Sequence, residues 1–259
     1  GFSARLFTHS SVPPQLPAEL IIRELPKSAG LIVRDMRDSS GEEIRALQRI
    51  APVAVIDDRG TGRAAADKAI DLLPHPEQRA GECRSDAFLY GYEFVKSLEG
   101  LGSEPIGKDI PFVMYQSTGS MPSCAPPELP GIILARGGRF KIGKGGALEA
   151  VSMPYARVIL AANVIVSHFG IIMYEGFLGG ASLVALNPGG YHNRLTDCAH
   201  ELNIINCGLL ESADVQSVHD TIRREAAVAR PAVSPDLLRE RLRSCTKNFV
   251  ELLKAESFL

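Results

Sequence analysis

The sequence predicts an α/β protein built on parallel sheets, in two domains, and three observations carry that expectation. Short apolar runs recur, among them residues 53–56, 112–115, 131–135 and 164–166, and they are continuous rather than alternating, as strands covered on both faces are. Stretches with apolar residues at helical spacing lie between such runs. Turns rich in Asp, Asn and Gly follow them, at the strand ends where parallel sheets gather their chemistry.

Taken in order, Leu31-Ile32-Val33 reads as a strand ending in a polar loop over 34–38, and Ile44, Leu47 and Ile50 mark a helix over 42–50. Val53 to Ile56 is the next strand, so strand, helix and strand follow in under thirty residues, a βαβ unit. Asp35, Asp38, Asp57 and Asp58 fall at its strand ends. A second series begins with a strand at 112–115 opening into Gln116-Ser117-Thr118-Gly119-Ser120. It continues with a strand at 131–135, a Gly/Lys/Arg loop over 136–146, a strand at 164–166 and a helix at 171–178. A strand at 181–186 ending in Asn187-Pro188-Gly189-Gly190 and helical character over 191–202 complete it. Ser234-Pro235 starts a last helix, with Leu237, Leu238, Leu242, Phe249, Leu252 and Leu253 as its apolar stripe. The break at 100–105 places the expected domains at 1–104 and 105–259, the first short or incomplete.

Composition narrows the function. Twenty-eight Lys+Arg against 30 Asp+Glu leave a net charge of -2, so no basic field draws the chain to nucleic acid. Five dispersed cysteines without a CxxC pair argue against a disulfide framework or structural zinc and fit a reducing cytoplasm. Tryptophan is absent, which disfavours a base-stacking platform. The N-terminus shows no signal-peptide pattern and no initiator Met, which reads as a fragment or processed form. The apolar stretch 155–186 contains Arg157, Asn163, His168 and Glu175, so buried strands joined by a helix explain it better than a membrane segment.

The chemistry-bearing block is 163–197. A strand ends in Ser167-His168-Phe169-Gly170 and a helix follows directly, so its first amides and positive dipole end make a place for phosphate. Glu175, just over one turn in, is suited to a ribose diol; a capped βα unit with Glu175 solvated on its surface explains the spacing equally well.

Residues 162–186 followed by His192-Asn193 resemble the carboxyl-terminal domain of GT-B glycosyltransferases. The nearest likeness is to the UDP-sugar hydrolase of pseudaminic acid biosynthesis and the spore-coat polysaccharide proteins. Val55-Ile56-Asp57-Asp58 with Ala66-Asp67, then Gly91-Tyr92-Glu93-Phe94, then 112–119 agree in order, so the resemblance runs from Leu31 to Leu210. It implies a GT-B-like fold of two Rossmann-like domains facing a cleft and a UDP-sugar ligand, with no cofactor and no metal. Gly170 and Ile171 would meet the diphosphate, Glu175 the ribose, Ser117, Thr118 and Gly119 the phosphates, and His192 and Asn193 the sugar or phosphate, with Ser167 and His168 counted among the substrate-binding residues.

The departures bear on catalysis. The family's opening Gly-rich turn with its histidine base is not reproduced in 1–26, and His9 lacks the glycines. Gln116-Ser117 stands where relatives have Gly-Gly, and the proline-rich 120–128 cannot be the usual helix. Asp35, Asp57 and His168 remain as candidate bases. His168 and His192 lack a third metal ligand at useful spacing. Asp57-Asp58 reads as a strand-end turn rather than a Mg²⁺ site. Arg139, Lys141 and Lys144 read as a hairpin, and Cys198 and Cys207 as small hydrophobes. The sequence therefore favours a nucleotide-sugar transferase or hydrolase. A non-catalytic nucleotide-sugar binder and an α/β enzyme of unrelated substrate stand as the alternatives.

Overall fold

A computed structural model of the chain describes residues 6–7, 21–22, 27–35, 38–74, 83–84, 91–116, 125–126, 128–135, 139–144, 147–151 and 153–254. Contacts divide the chain into two units, one of residues 1–71 with 252–259 and one of residues 72–251. The boundary expected at 104/105 therefore lies inside the second unit.

In the first unit β1 (Leu6–Phe7) and β2 (Ile21–Ile22) pair in parallel. Beside one another, also parallel, run β3 (Ile32–Asp35), β4 (Val53–Ile56) and β5 (Lys68–Asp71). Helix α1 (Gly41–Gln48) forms the crossover between β3 and β4 and starts at a capping box: Glu43 N–H donates to Ser40 Oγ, and Ser40 N–H to the Glu43 carboxylate. Ile44, Val53 and Val55 are the centre of this small core. The sequence reading passed over β5 because its ends are Lys68 and Asp71, polar residues that are nonetheless buried. For Asp71, Arg63 makes that possible by gripping both carboxylate oxygens, at 2.9 and 3.0 Å.

A two-residue strand β6 (Cys83–Arg84) precedes the main body of the second unit. That body has α2 (Tyr92–Glu99), β7 (Ile110–Gln116), β8 (Gly131–Ala135), β9 (Arg139–Lys144), β10 (Ala147–Val151) and α3 (Tyr155–Ala161). It continues with β11 (Ala162–Ser167), α4 (Ile171–Leu178), β12 (Ser182–Asn187), α5 (Gly190–Cys198), β13 (Ile205–Leu209), α6 (Val215–Ala226) and α7 (Pro235–Lys254). The sheet order is β10-β9-β8-β7-β11-β12-β13, with β8, β7, β11, β12 and β13 parallel and the β9–β10 hairpin antiparallel at one edge. The expected loop over 136–146 is thus largely that hairpin. The stretch 155–186 runs helix, strand, helix, strand; α3 is apolar but for the exposed Arg157 and is buried from Val158 to Ala161, which is why that run resembles a strand in sequence.

Alternate residues of each central strand serve opposite faces. Val113, Ile165, Leu183 and Ala185 join α3, α4, Phe94 and Leu98 of α2, and Leu238 and Leu242 of α7. Phe112, Met114, Val164, Val166, Val184 and Leu186 face Val218 and Ile222 of α6. This two-sided cover is what a continuous apolar strand requires, and it ties α2 to the second unit. On α7 the apolar stripe is narrower than expected, since Leu237 is 68% exposed.

Helix α4 lies unusually close to the sheet. A Cβ on Gly176 would stand 2.8 Å from Ile165 Cγ1 and 2.9 Å from Leu183 Cδ2. Gly176→Ala is therefore expected to destabilise the protein by about 1–3 kcal/mol, despite the better helix propensity of alanine, because overpacking outweighs the propensity gain. Urea unfolding of the two proteins checks this; an unchanged or raised midpoint would refute the close approach.

Candidate functional site

The acids of the first unit divide by role. Asp35, the last residue of β3, and Asp38 are exposed. Asp57 turns the chain after β4 in the left-handed region, φ 51°, and its N–H donates to Ile70 O. Asp58 is fully buried, and its Oδ1 accepts from Ser39 N–H at 3.1 Å and Gly60 N–H at 2.8 Å. Asp58 is thus the strand-end turn residue that the sequence suggested.

In the second unit the chain passes from β7 to β8 on one side of the sheet and later enters β11 on the other side of β7. The gap beyond the carboxyl ends of β7 and β11 is therefore the switch point of the sheet, the place where open α/β sheets bind ligands. Tyr115 stands at one lip, and His168, just past β11, at the other; their rings lie 5.8 Å apart. His192, in the first turn of α5, meets the His168 ring edge-on at 5.3 Å, and Tyr191 packs on His192 at 5.4 Å. His168 and His192, which the sequence named separately, are brought together. Burial, and secondarily His192, holds the His168 pKa below its usual value, favouring the neutral imidazole. Its Nδ1 and the hydroxyl of the wholly buried Ser167 have no hydrogen-bond partner among the described residues.

Both helices that start at this edge do so without a side-chain cap: α4 begins after Gly170 and α5 after Gly189. Neither glycine is demanded by the backbone, since φ is 171° and -169°, extended values open to any residue. Nor does packing require them. A Cβ at Gly170 would come no closer than 3.9 Å, to His168 Nε2, and one at Gly189 would meet no described atom within 4 Å.

Behind the two starts lies a network the sequence reading missed. Asn187, the last residue of β12, is fully buried. Its Oδ1 accepts from Phe169 N–H at 3.0 Å, and its Nδ2 donates to Thr196 Oγ1 at 3.0 Å and to Asn193 Oδ1 and Asn206 Oδ1, each at 3.4 Å. Asn206 Nδ2 also donates to Asn193 Oδ1, at 3.1 Å. Asn193 is thus turned into this network. The available signal was an Asn closing a continuous apolar strand, where a hydrophobic residue or a turn was equally expected. Ser117, Thr118, Gly119 and His9 lie outside the described residues, as do the side chains of Arg139, Lys141 and Lys144.

Glu175 corrects the picture of a solvated helix-surface carboxylate. It is 2% exposed. Tyr155 Oη donates to its Oε2 at 2.6 Å and Gly91 N–H to its Oε1 at 2.8 Å. A side chain at Gly91 would crowd that oxygen, with a Cβ 3.1 Å away. Glu175 therefore clamps α3 and the start of α2 to α4.

No known family pattern matches the chain, and no curated protein matches it significantly in sequence. Among solved structures, the glycotransferase of kitacinnamycin aligns with 90% of this chain and 76% of its own, at 12% identity and a TM-score of 0.45. The glycosyltransferase SnogD from Streptomyces nogalater aligns with 83% of this chain and 72% of its own, at 11% identity and a TM-score of 0.36. Likeness at this level carries no chemistry, which has to come from the residues themselves.

Burial raises the Glu175 pKa from 4.5 to about 7, against the opposing pull of its two hydrogen bonds. An acid whose folded pKa is raised contributes stability that is complete below its unfolded pKa and is lost as pH climbs through the folded one. Stability is therefore expected to fall between about pH 4.5 and pH 7 through this group. Glu175→Gln should flatten that part of the profile, which urea unfolding of both proteins across pH 4.5–8 measures. Parallel profiles would show that Glu175 does not titrate in this range.

Proposed function

We propose that this chain is a nucleotide-sugar enzyme, a UDP-sugar glycosyltransferase or UDP-sugar hydrolase. The observation that carries this reading is the pair of helix starts at the carboxyl edge of the sheet, each led by a glycine for which neither backbone angle nor packing among the described residues gives a reason. A close-lying ligand gives one. Amides at the starts of α4 and α5, with the positive ends of both helices, favour a diphosphate, and a side chain at either glycine would stand in its way. The resemblance of residues 162–186 and His192-Asn193 to GT-B sugar-nucleotide domains supports the same ligand and suggests polysaccharide or nonulosonic acid synthesis as the setting.

The chemistry follows from that placement. The bond between the anomeric carbon and the diphosphate oxygen breaks, with its electrons going to the diphosphate. A hydroxyl oxygen of an acceptor, or water, bonds to the carbon and gives its proton to a base. The helix starts stabilise the charge gathering on the leaving group. His168, Asp35 and Asp57 remain the candidate bases. Its place beside the start of α4 and against His192, with burial favouring the neutral imidazole, makes His168 the first to test.

UDP and UDP-N-acetylglucosamine should bind at micromolar to millimolar concentration by calorimetry, while CMP-sugars and NAD should not. Gly170→Ala and Gly189→Ala should each leave stability within about 0.5 kcal/mol, as the room around both positions allows. Each should weaken UDP binding about tenfold, roughly 1.4 kcal/mol. No heat with millimolar UDP from the folded wild type would overturn the reading.

A further inference from the structure

We infer that Asn187 is a positioning residue that locks the turn before α4 to the first turns of α5, so that the two helix starts act as one anion-binding unit; this rests on the nucleotide-sugar reading above. The geometry fixes the orientation of the amide. Phe169 N–H is a donor, so Oδ1 must face it, and Nδ2 is thereby aimed at α5. On that side Thr196 Oγ1 takes one proton of Nδ2 and donates its own to His192 O at 2.9 Å, carrying the link back to the residue whose ring meets His168. The connection from Phe169 to His192 is thus continuous: backbone amide, Asn187, Thr196 hydroxyl, backbone carbonyl.

The local irregularity of the sheet serves the same end. Between Ala185 and Asn187 on β12 the pairing register with β13 shifts, from Ala185 opposite Asn206 to Asn187 opposite Leu209. The extra residue on β13 is accommodated at Gly208, φ 83°, whose N–H donates to Asn206 Oδ1 at 2.9 Å. The bulge brings Asn206 to Asn187 and Asn193, so the last strand of the sheet joins the same network. A fully buried amide in a hydrophobic strand end is costly to desolvate. An apolar residue at 187 would leave Phe169 N–H and Thr196 without this partner. The amide is therefore explained by what it connects.

The test is Thr196→Val, an isosteric change that removes the hydroxyl while leaving Phe169 and Gly170 untouched, with Thr196→Ser as the conservative rescue. In ligand-free protein, amide NMR signals of Phe169, Gly170 and Ile171 should move in Thr196→Val and return in Thr196→Ser. UDP affinity should fall about tenfold in the first variant and stay within about twofold in the second. Asn187→Asp cuts the link from the other side, since a carboxylate still accepts from Phe169 but cannot donate to Thr196; the signals of α5 should then move and UDP affinity should drop similarly. If Thr196→Val moves only the signals of α5 and UDP binding is unchanged, the lock does not exist. If wild-type protein fails to bind UDP while the Phe169 and Gly170 signals still respond to Thr196→Val, the nucleotide-sugar reading fails and the coupling between the turns stands.

Discussion

The close approach of α4 to the sheet is the constraint on which the second unit depends. Gly176 lets the helix axis sit against Ile165 and Leu183, and every other feature of the helix follows from that seat. Its start is held at the carboxyl end of β11, within reach of Asn187 through Phe169. Its middle is buried deeply enough that Glu175 meets Tyr155 and Gly91 rather than water. Its far end is pinned by Lys108, whose Nζ donates to Gly179 O there, to Leu160 O at 2.8 Å near the end of α3, and to Ala162 O at 2.9 Å at the start of β11. A cation at the negative ends of two helices is in a favourable field, yet burial and then nearby Arg230 pull its pKa down to about 8. Lys108 thus settles the carbonyls at this end of the layer.

How much of this was legible depended on whether a residue's environment was local. Strands β4 and β8 and helix α4 have the bounds that the sequence suggests, because unbroken apolar runs between turn residues are decided within a few positions. Lys68 and Asp71 hid β5, and what makes Asp71 buriable is Arg63 across a turn. Glu175 was legible as a residue of interest and illegible as a buried one. Its partners sit 20 and 84 positions earlier, and no helical period relates them. Asn187 was hidden differently: its partners are on three separate elements, so its environment exists only after the sheet has formed.

The pair of histidines shows the same limit from the other side. His168 and His192 lie 24 positions apart, and the spacing suggests no contact. What joins them is the parallel pairing of β11 with β12, which places the turn after one strand beside the turn after the next. Strand ends in such a sheet converge by construction, so a residue just past each strand is a site candidate on topology alone. Tyr115 satisfies that rule at the end of β7 and could have been named with them.

The polar accounting of this edge argues that it is built for an occupant. Side chains cap three of the other helices, Ser40 and Glu43 at α1, Asp214 at α6, and Ser234 within reach of Leu237 N–H at α7, whereas α2 after Gly91 and α3 after Pro154 also start without one. A good N-cap contributes about 1 kcal/mol, and α4 and α5 both forgo it at one edge of one sheet. Beside them Ser167 Oγ and His168 Nδ1 are buried without a partner among the described residues. Buried polar groups are satisfied almost everywhere in folded proteins, and leaving two unmet costs about 1–3 kcal/mol each. Among the described residues packing does not impose these omissions, because a side chain has room at Gly170 and Gly189. A ligand bearing several acceptors, arriving at both helix starts at once, would supply partners for their first amides, and a diphosphate has that chemistry.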